Sequence, residues 1–517
     1  MITKTKNCTF LYVAKSFRAD GKCTSKIVEK LGTFDELKKV HDDPISWGKE
    51  YAKKLTLDAK EKNADILIKY SPAKTVGKGL PKSFNGGYLF LQKIYTELGL
   101  KNICEELSPK YKFDFDLDAI LSRLIYSRII HPSSKLATLE FSRKFIEPPN
   151  FDLQQIYRAL VIISKENDFI QSQLYLNSLK ISKRNAGILY FDCTNYFFEI
   201  DVPSGLKQYG YSKEHRQSPI VQMGLFMDAD GIPLAFNIFA GNESEQNHLQ
   251  PLEKKIFSDF KLAKLVVCTD AGLSSYSNRE FNNFLNRSFV TIQPLKKLAG
   301  HLIDWALEPS GWRDLDTDKI CEIEDNLDEK TVLYKEKWIN ENNLSQRLIV
   351  TYSPKYKNYK QKVRTATKKD AEDEKYDGFY GTCTNLNDPV AEIVKINHRR
   401  WEVEECFRIM KSEFKARPVF LVRDDRIKAH FMTCFIALLV YRLLEKKLEY
   451  KFTCREIIDG LRDMNFHKVH GEGYLPTYTR TDFTDALHEK FGFRTDYEIV
   501  TMQKMKENTT FTKVVES

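Results

Sequence analysis

The ten cysteines of this 517-residue chain form no Cys-x-x-Cys pair, and its ten histidines make no His-Glu-x-x-His cluster. Those absences remove the usual sequence signs of a zinc site. The cysteines, at positions 8, 23, 104, 193, 268, 321, 383, 406, 434 and 454, lie mostly inside apolar segments, which predicts reduced thiols in a cytosolic protein. There is no apolar signal region after Met1, no low-complexity tract and no internal repeat, so the expected location is the cytoplasm. The most hydrophobic stretch, FMTCFIALLVY at 431–441, is too short to span a bilayer and is flanked by Lys428, His430 and Arg442. It reads as a core helix, and no membrane partner is expected. Charge bias is also weak: 80 Lys plus Arg against 71 Asp plus Glu leaves +9, a mild lean toward polyanions and far from a histone-like tail. With 42% hydrophobic and 29% charged residues, the chain is an ordinary globular protein of about two to four domains.

What is present is sharper. INHRRWEVEECFRIMKSEF, residues 396–414, has helical spacing, and at about 100° per residue Asn397, Arg400, Glu404 and Lys411 fall within an arc of about 60°. One acid sits among cations there. Ile396, Val403, Cys406, Phe407, Met410 and Phe414 form the neighbouring apolar face, so Glu404 lies at the margin of a buried surface and can reach a cleft. Taken alone, the same stripe reads more readily as a solvated helix face with i,i+4 ion pairs.

Two further acids have matching settings. AGILYFDCTNYFFEI, 186–200, is an apolar run with Asp192 in its middle and reads as a buried strand, where an unpaired carboxylate is costly. KLVVCTDAGLSS, 264–275, is a shorter strand with Asp270 at its end and Gly272 in the turn after it. An acid at a strand end is either a site residue or a helix cap. Three carboxylates, two on strands and one on a helix, suit a hard cation. Mg²⁺ takes oxygen ligands and is typically held by one or two carboxylates plus substrate phosphates, and two such ions about 4 Å apart serve phosphodiester chemistry.

Along the chain, residues 1–46 predict a hairpin turning at Asp20-Gly21, and 47–185 predict mostly helices, with a break at His131-Pro132 and Ser133 or Ser134 capping the next helix. Such a helical unit either binds DNA or packs against the core. Residues 186–294 predict strands near 187–199, 219–228, 232–239, 264–269 and 288–293, helices near 246–258 and 276–286, and a mixed sheet because Asp230-Gly231 reads as a hairpin turn. Asp270 and Glu404 are 134 positions apart, so a folded insertion, 295–388, must separate them. It carries three of the five tryptophans, Trp305, Trp312 and Trp338, β-like runs such as RLIVTYS, and a segment in which Lys355, Lys357, Lys360, Lys362, Arg364, Lys368 and Lys369 alternate with Tyr352, Tyr356 and Tyr359. Cations meet phosphates and aromatic faces stack on unpaired bases. The plain alternative is a solvated strand and loop. Residues 389–445 return to the core, and 446–517 read as helices ending in a polar tail expected to fray.

Together these motifs resemble the DDE transposases of bacterial insertion sequences, in the branch with a Tyr-Arg-Glu-Lys signature. Arg400, Glu404 and Lys411 match the signature's spacing, with Asn397 at the tyrosine position; FDCTN at 191–195 matches the first-acid element and TDAG at 269–272 the second. Between them, residues 210–245 match that branch's Ser-Lys-acid-x-Arg segment, two strands and Gly-Asn-x-x-Glu turn. The resemblance spans about 186–445 and implies an α/β, ribonuclease-H-like mixed-sheet core interrupted by a β-rich insertion that contacts the transposon end. It further implies metal-dependent cleavage at transposon ends and strand transfer into target DNA. Asp192, Asp270 and Glu404 would hold two Mg²⁺ ions, with Mn²⁺ as a substitute, while Arg400 and Lys411 grip phosphates. Asn397 leaves the base-handling role of the usual tyrosine in question. Double-stranded DNA, both ends and target, is the implied partner, bound by a homodimer. The competing readings are a non-cleaving DNA-binding descendant and a nuclease of the same fold with a cellular substrate.

Overall fold

The computed structural model describes residues 2–4, 9–19, 22–62, 66, 68, 71–73, 75–260, 265–284, 286–323, 328–367 and 371–515. Contacts divide the chain into two units, Met1–Lys78 and Gly79–Ser517. In the first, strands Thr9–Ala19 and Lys22–Thr33 pair antiparallel with Ala19 opposite Lys22. The expected turn at Asp20-Gly21 lies outside the described residues. Helix Phe34–Lys38 starts at Thr33, whose hydroxyl accepts from the Glu36 backbone while Glu36 accepts in return, a reciprocal cap. Helix Pro44–Lys62 comes next.

The second unit is built on one ten-stranded mixed sheet. Its strands are β1 (Ile188–Phe197), β2 (Ile220–Asp228), β3 (Pro233–Ala240), β4 (Leu265–Thr269), β5 (Arg287–Ile292), β6 (Trp312–Asp314), β7 (Ile320–Cys321), β8 (Leu333–Glu341), β9 (Leu344–Tyr352) and β10 (Phe379–Thr384). The spatial order is β7-β6-β8-β9-β10-β5-β4-β1-β2-β3. β1 pairs β4 and β4 pairs β5 in parallel, whereas β1–β2 and β2–β3 are antiparallel. That five-strand order is the ribonuclease-H-like core. β1 and β2 are buried almost throughout, as central strands covered on both faces must be. Gly231 turns the β2–β3 hairpin with φ +74°, a conformation that favours glycine.

Strand register sorts side chains onto two faces. Tyr190 pairs with Cys268, Cys268 with Val290, and Ile292 with Thr382, so these share a face, and Asp192 and Tyr380 share it by the period of two. Helices α1 (Leu117–Ile130), α2 (Leu153–Lys165), α3 (Gln246–Phe260), α4 (Tyr276–Phe281), α5 (Gly300–Leu307), α6 (Pro354–Thr367), α7 (Val390–His398), α8 (Trp401–Arg408) and α9 (Asp424–Lys447) divide accordingly. α7, α8 and α9 join Tyr190, Cys268 and Val290 in the largest core, to which α1 and α2 contribute. α3 packs with Leu189, Phe191 and Val267 on the other face, and Ala306 of α5 with Phe289 and Leu348.

Among the described residues α9 alone is long and apolar enough to cross a membrane, but 94% of its most apolar window is buried inside the protein; it is the central core helix. Ser134 caps the helix after the His131-Pro132 break, accepting from Ala137 N at 3.2 Å. The insertion is no separate layer: β10 pairs both β9 and β5, carrying the core sheet outward into β6–β9. The Lys/Tyr-rich segment, whose plain alternative was strand and loop, is helix α6. Pro354 opens it, the Ser353 hydroxyl accepts from Tyr356 N, and the lysines and glutamine within are good helix formers. The tail expected to fray is helix Met502–Phe511 with Met505 buried. Nearby, Asn465–Val469, Gly473–Pro476, Val500–Thr501 and Ser83–Asn85 make a four-stranded sheet.

Candidate active site

The β1–β4 ladder runs Ile188↔Val266, Leu189↔Val267, Tyr190↔Cys268. Continued by two residues, the same offset sets Asp192 beside Asp270 on neighbouring parallel strands, on the face covered by α7 and α8. Asp192 is buried, and its Oδ1 accepts from Cys193 N at 2.7 Å. Burial pushes its carboxyl up to about 7; Lys213 opposes the shift, Asp270 adds to it, and Arg400 and the Cys193 amide also oppose it. A desolvated carboxylate with a second one on the neighbouring strand favours a cation. Lys213 donates to the Cys193 carbonyl and sits 3.4 Å from Glu245. Burial lowers its pKa, but Asp192 and Glu245 outweigh this and hold the ammonium above its usual range. Asp270 Oδ1 accepts from Leu273 N at 3.1 Å, an Asx-type turn that fixes the strand end.

The segment read as one helix over 396–414 is two. α7 stops at His398 and α8 starts at Trp401; between them Arg400 N bonds Asn397 O and Val403 N bonds Arg400 O, three-residue spacings that tighten and turn the chain. After Arg408, residues Ile409–Glu413 form a π turn closed by Phe414 N to Ile409 O at 2.9 Å. The ideal arc therefore does not hold. The extra residue of a π turn re-aims the side chains beyond it, and such turns recur at functional sites.

Arg400 is the hub of the result. It acts electrostatically on Asp192, Cys268 and Tyr380 and lies 3.7 Å from Glu404. The Glu404 side chain is 62% exposed in that pair. The structure thus brings Asp192 and Asp270 together and ties Glu404 to them through Arg400. Among the described residues no three acid, histidine or cysteine side chains converge closely enough to hold a metal ion. Lys411 points to the same face: its Nζ donates to Thr194 Oγ1 at 2.7 Å and lies 3.5 Å from Glu214. Burial, then Lys213, lowers its pKa to about 8 against the pull of Asp192. α8 is anchored behind by Glu402, which ion-pairs with buried Arg442 of α9, and Arg442 Nε donates to Gly231 O at 2.8 Å.

A cavity of about 760 Å³ opens beside Glu404, lined among others by Asn397, Arg400, Trp401, Tyr380, Tyr356 and Lys355. Lys355 therefore shares a wall with the signature residues, whereas Lys357, Lys360 and Lys362 lie further along α6. Lys360 stands over the Tyr356 ring at 5.3 Å. Asn397 hydrogen-bonds the Tyr380 phenol, whose pKa burial raises, and its Oδ1 is buried without a partner. Tyr380 comes from β10, seventeen positions before Asn397, so a phenol stands next to the position where the signature tyrosine is replaced. Sequence reading missed Tyr380 and Lys213; the second lay within the 210–245 block, whereas only the β9–β10–β5 pairing brings in the first.

No curated protein matches this chain in sequence. Among solved structures, the piggyBac transposase synaptic complex with hairpin DNA is 7% identical, covering 83% of this chain and 85% of that one, with a TM-score of 0.40. The Mos1 transposase paired-end complex with left transposon end is 12% identical over 47% of this chain and 66% of that one, with a TM-score of 0.16. Likenesses this distant bear on neither substrate nor mechanism. Residues 198–440 match the family model described as the transposase DDE domain, a span that contains Asp270, Glu404, Arg400 and Lys411 and begins just after Asp192. Over that span this chain is similar to the DDE transposases.

Proposed function

We propose that the chain cuts DNA at the ends of its own element and joins them to target DNA, with Asp192, Asp270 and Glu404 as the metal-holding acids. The observation that carries this is the Asp192–Asp270 pair: a buried carboxylate beside a second one, with its pKa pushed up to about 7, has the donor chemistry that a divalent ion satisfies. Transposases of this family depend on divalent metals, and a site with two carboxylates and open positions fits Mg²⁺, which fills its remaining positions with water and phosphate oxygens. Two bound ions would polarise the scissile phosphodiester and lower the pKa of the attacking water or 3′-hydroxyl.

The chain's own residues supply the rest. Arg400, released by a phosphate from its pairing with Glu404, frees that carboxylate to turn toward the acid pair. Lys411 and Arg400 hold the phosphates flanking the cut, and Lys213 balances charge on Asp192. Lys355, Lys357, Lys360 and Lys362 track the backbone of the transposon end, while Tyr356, Tyr380 and Trp401 offer ring faces to a displaced base. Asn397 contributes its unpartnered carbonyl to that wall. Double-stranded DNA is the substrate and a homodimer the working form, in the cytoplasm of a bacterial cell.

The test is strand cleavage with Mg²⁺ or Mn²⁺ on a duplex bearing the inverted repeat that flanks the coding DNA. Asp192→Ala, Asp270→Ala and Glu404→Ala should each abolish cleavage while end binding persists, because most phosphate contacts lie elsewhere. Full metal-dependent cleavage by any one of them removes that residue from the site.

A further inference from the structure

Beyond the acids, the C-terminal end of β1 carries an apolar surface that the reaction leaves unused. Phe420 and Val422, in the loop between the π turn and α9, are 74% and 75% exposed, and Val202 and Tyr211, in the segment bonded to that loop, are 74% and 78% exposed. Four large apolar side chains this exposed on two adjoining segments offer a binding surface. Two segments form it, and hydrogen bonds hold them side by side. Lys207 Nζ donates to Val422 O at 2.6 Å, and Asn195 Nδ2 to Tyr211 O at 3.2 Å. Leu206 N donates to Asp424, and Val419 N to Phe197 O. The apolar tips therefore stand on a fixed base.

Their surroundings carry a net positive charge, part of it paired: Lys411 and Arg417 with Glu214, and Arg423 with Asp425. The Arg216 guanidinium lies 4.2 Å over the Phe197 ring and that of Arg417 5.7 Å from it. Residues 411–428 hold six cations, Lys411, Lys415, Arg417, Arg423, Arg426 and Lys428, against three acids, Glu413, Asp424 and Asp425. Residues 199–216 are balanced, with Lys207, Lys213 and Arg216 facing Glu199, Asp201 and Glu214. An apolar tip with a net positive rim complements a polyanion with an apolar interior, which describes duplex DNA opened at one base step. Distance agrees. Phe197 is five residues beyond Asp192 on β1, about 16 Å at about 3.3 Å per residue, and the duplex rises about 3.4 Å per base pair.

We infer that Phe420 and Val422 form a wedge that enters the DNA at a base step about five base pairs from the cleaved phosphate, with Tyr211 and Val202 bearing on the same step. This rests on the transposase reading above. Unstacking there bends the duplex toward Lys415 and Arg417 and holds the scissile phosphate over the acids.

The experiment uses the full chain and a duplex bearing the flanking inverted repeat, with 2-aminopurine placed singly at successive steps on either side of the cleavage point and Ca²⁺ replacing Mg²⁺. Wild type should raise the fluorescence near the fifth step on one side. Phe420→Ser with Val422→Ser should lose that rise while fluorescence anisotropy still reports binding and the melting temperature is unchanged, since both side chains are exposed. Flat fluorescence at every step, with binding and Mg²⁺-dependent cleavage intact, overturns the wedge and leaves the transposase reading standing. A DNA-free dimer that the double serine variant converts to monomer, with the fluorescence rise retained, assigns the surface to a second copy of the chain and also overturns it. Absence of both binding and cleavage by wild type removes the transposase reading and the wedge with it.

Discussion

Lys411 should make DNA engagement fall at alkaline pH, and arginine in its place should abolish the effect. Burial and Lys213 bring its pKa to about 8, so near pH 7 the ammonium is mostly charged, whereas a pH unit above 8 about ten of every eleven molecules have lost the proton. A phosphate binds only the charged form, so binding near pH 9 must first restore the proton and weakens by about tenfold, about 1.4 kcal/mol. The one phosphate contact also contributes about −0.9 to the slope of log K against log salt, and that share should vanish over the same pH range. Lys411→Arg keeps the charge at every accessible pH and should flatten the titration. The assay is fluorescence anisotropy of a labelled transposon end, measured from pH 7 to 9 at two salt concentrations, with both chains also carrying Asp270→Ala so that nothing is cut. An identical pH dependence with and without the Lys411→Arg substitution would place the ammonium off the DNA and return it to its contacts with Thr194 and Glu214.

Glu253 is fully buried on α3, accepts from Asn282 Nδ2 at 3.1 Å, and has its carboxyl raised to about 7 by burial. A folded pKa above the unfolded one gives stability that is present below about pH 4.5 and lost as pH rises through about 7, so Glu253→Gln should stabilise the protein above neutrality by up to roughly 3 kcal/mol and change nothing near pH 4; parallel urea-melt profiles across that range would refute it. Mixing an Asp192→Ala chain with one changed to glutamate at Lys355, Lys357, Lys360 and Lys362 should recover cleavage that neither shows alone, through one subunit holding an end that another cuts, whereas full activity from a strictly monomeric complex on one end would exclude that arrangement.

Strands were the legible part. The run expected at 219–228 is Ile220–Asp228 and that at 264–269 is Leu265–Thr269, because a buried strand between turn residues is a local statement about apolar composition. Asp192 stood out as a charge inside an apolar strand, where charge is costly, and Asp270 as an acid at a strand end beside a turn. The signature helix was harder: the three-residue turns at Arg399–Arg400 and the π turn at Ile409–Glu413 are chosen by packing against β1 and α9, and side-chain periodicity carries no record of them. Helix α6 went unread because tyrosine alternating with lysine satisfies a strand pattern as well as a helical one, and Ser353-Pro354 at its start decided between them. Tyr380 was beyond reach, since only the pairing of β10 with β5 and β9 brings it to Asn397.

The continuity of the sheet turns the protein into a ruler. β9, which leads straight into α6, is separated from β1 by β10, β5 and β4, four hydrogen-bonded steps or about 19 Å. Any DNA contact made at the start of α6 is therefore held about 19 Å from the strand of Asp192, at a spacing set by backbone hydrogen bonds and independent of linker length. Loops lengthened between these strands would leave that separation as it is, whereas one more strand paired between β5 and β10 would widen it by about 4.8 Å.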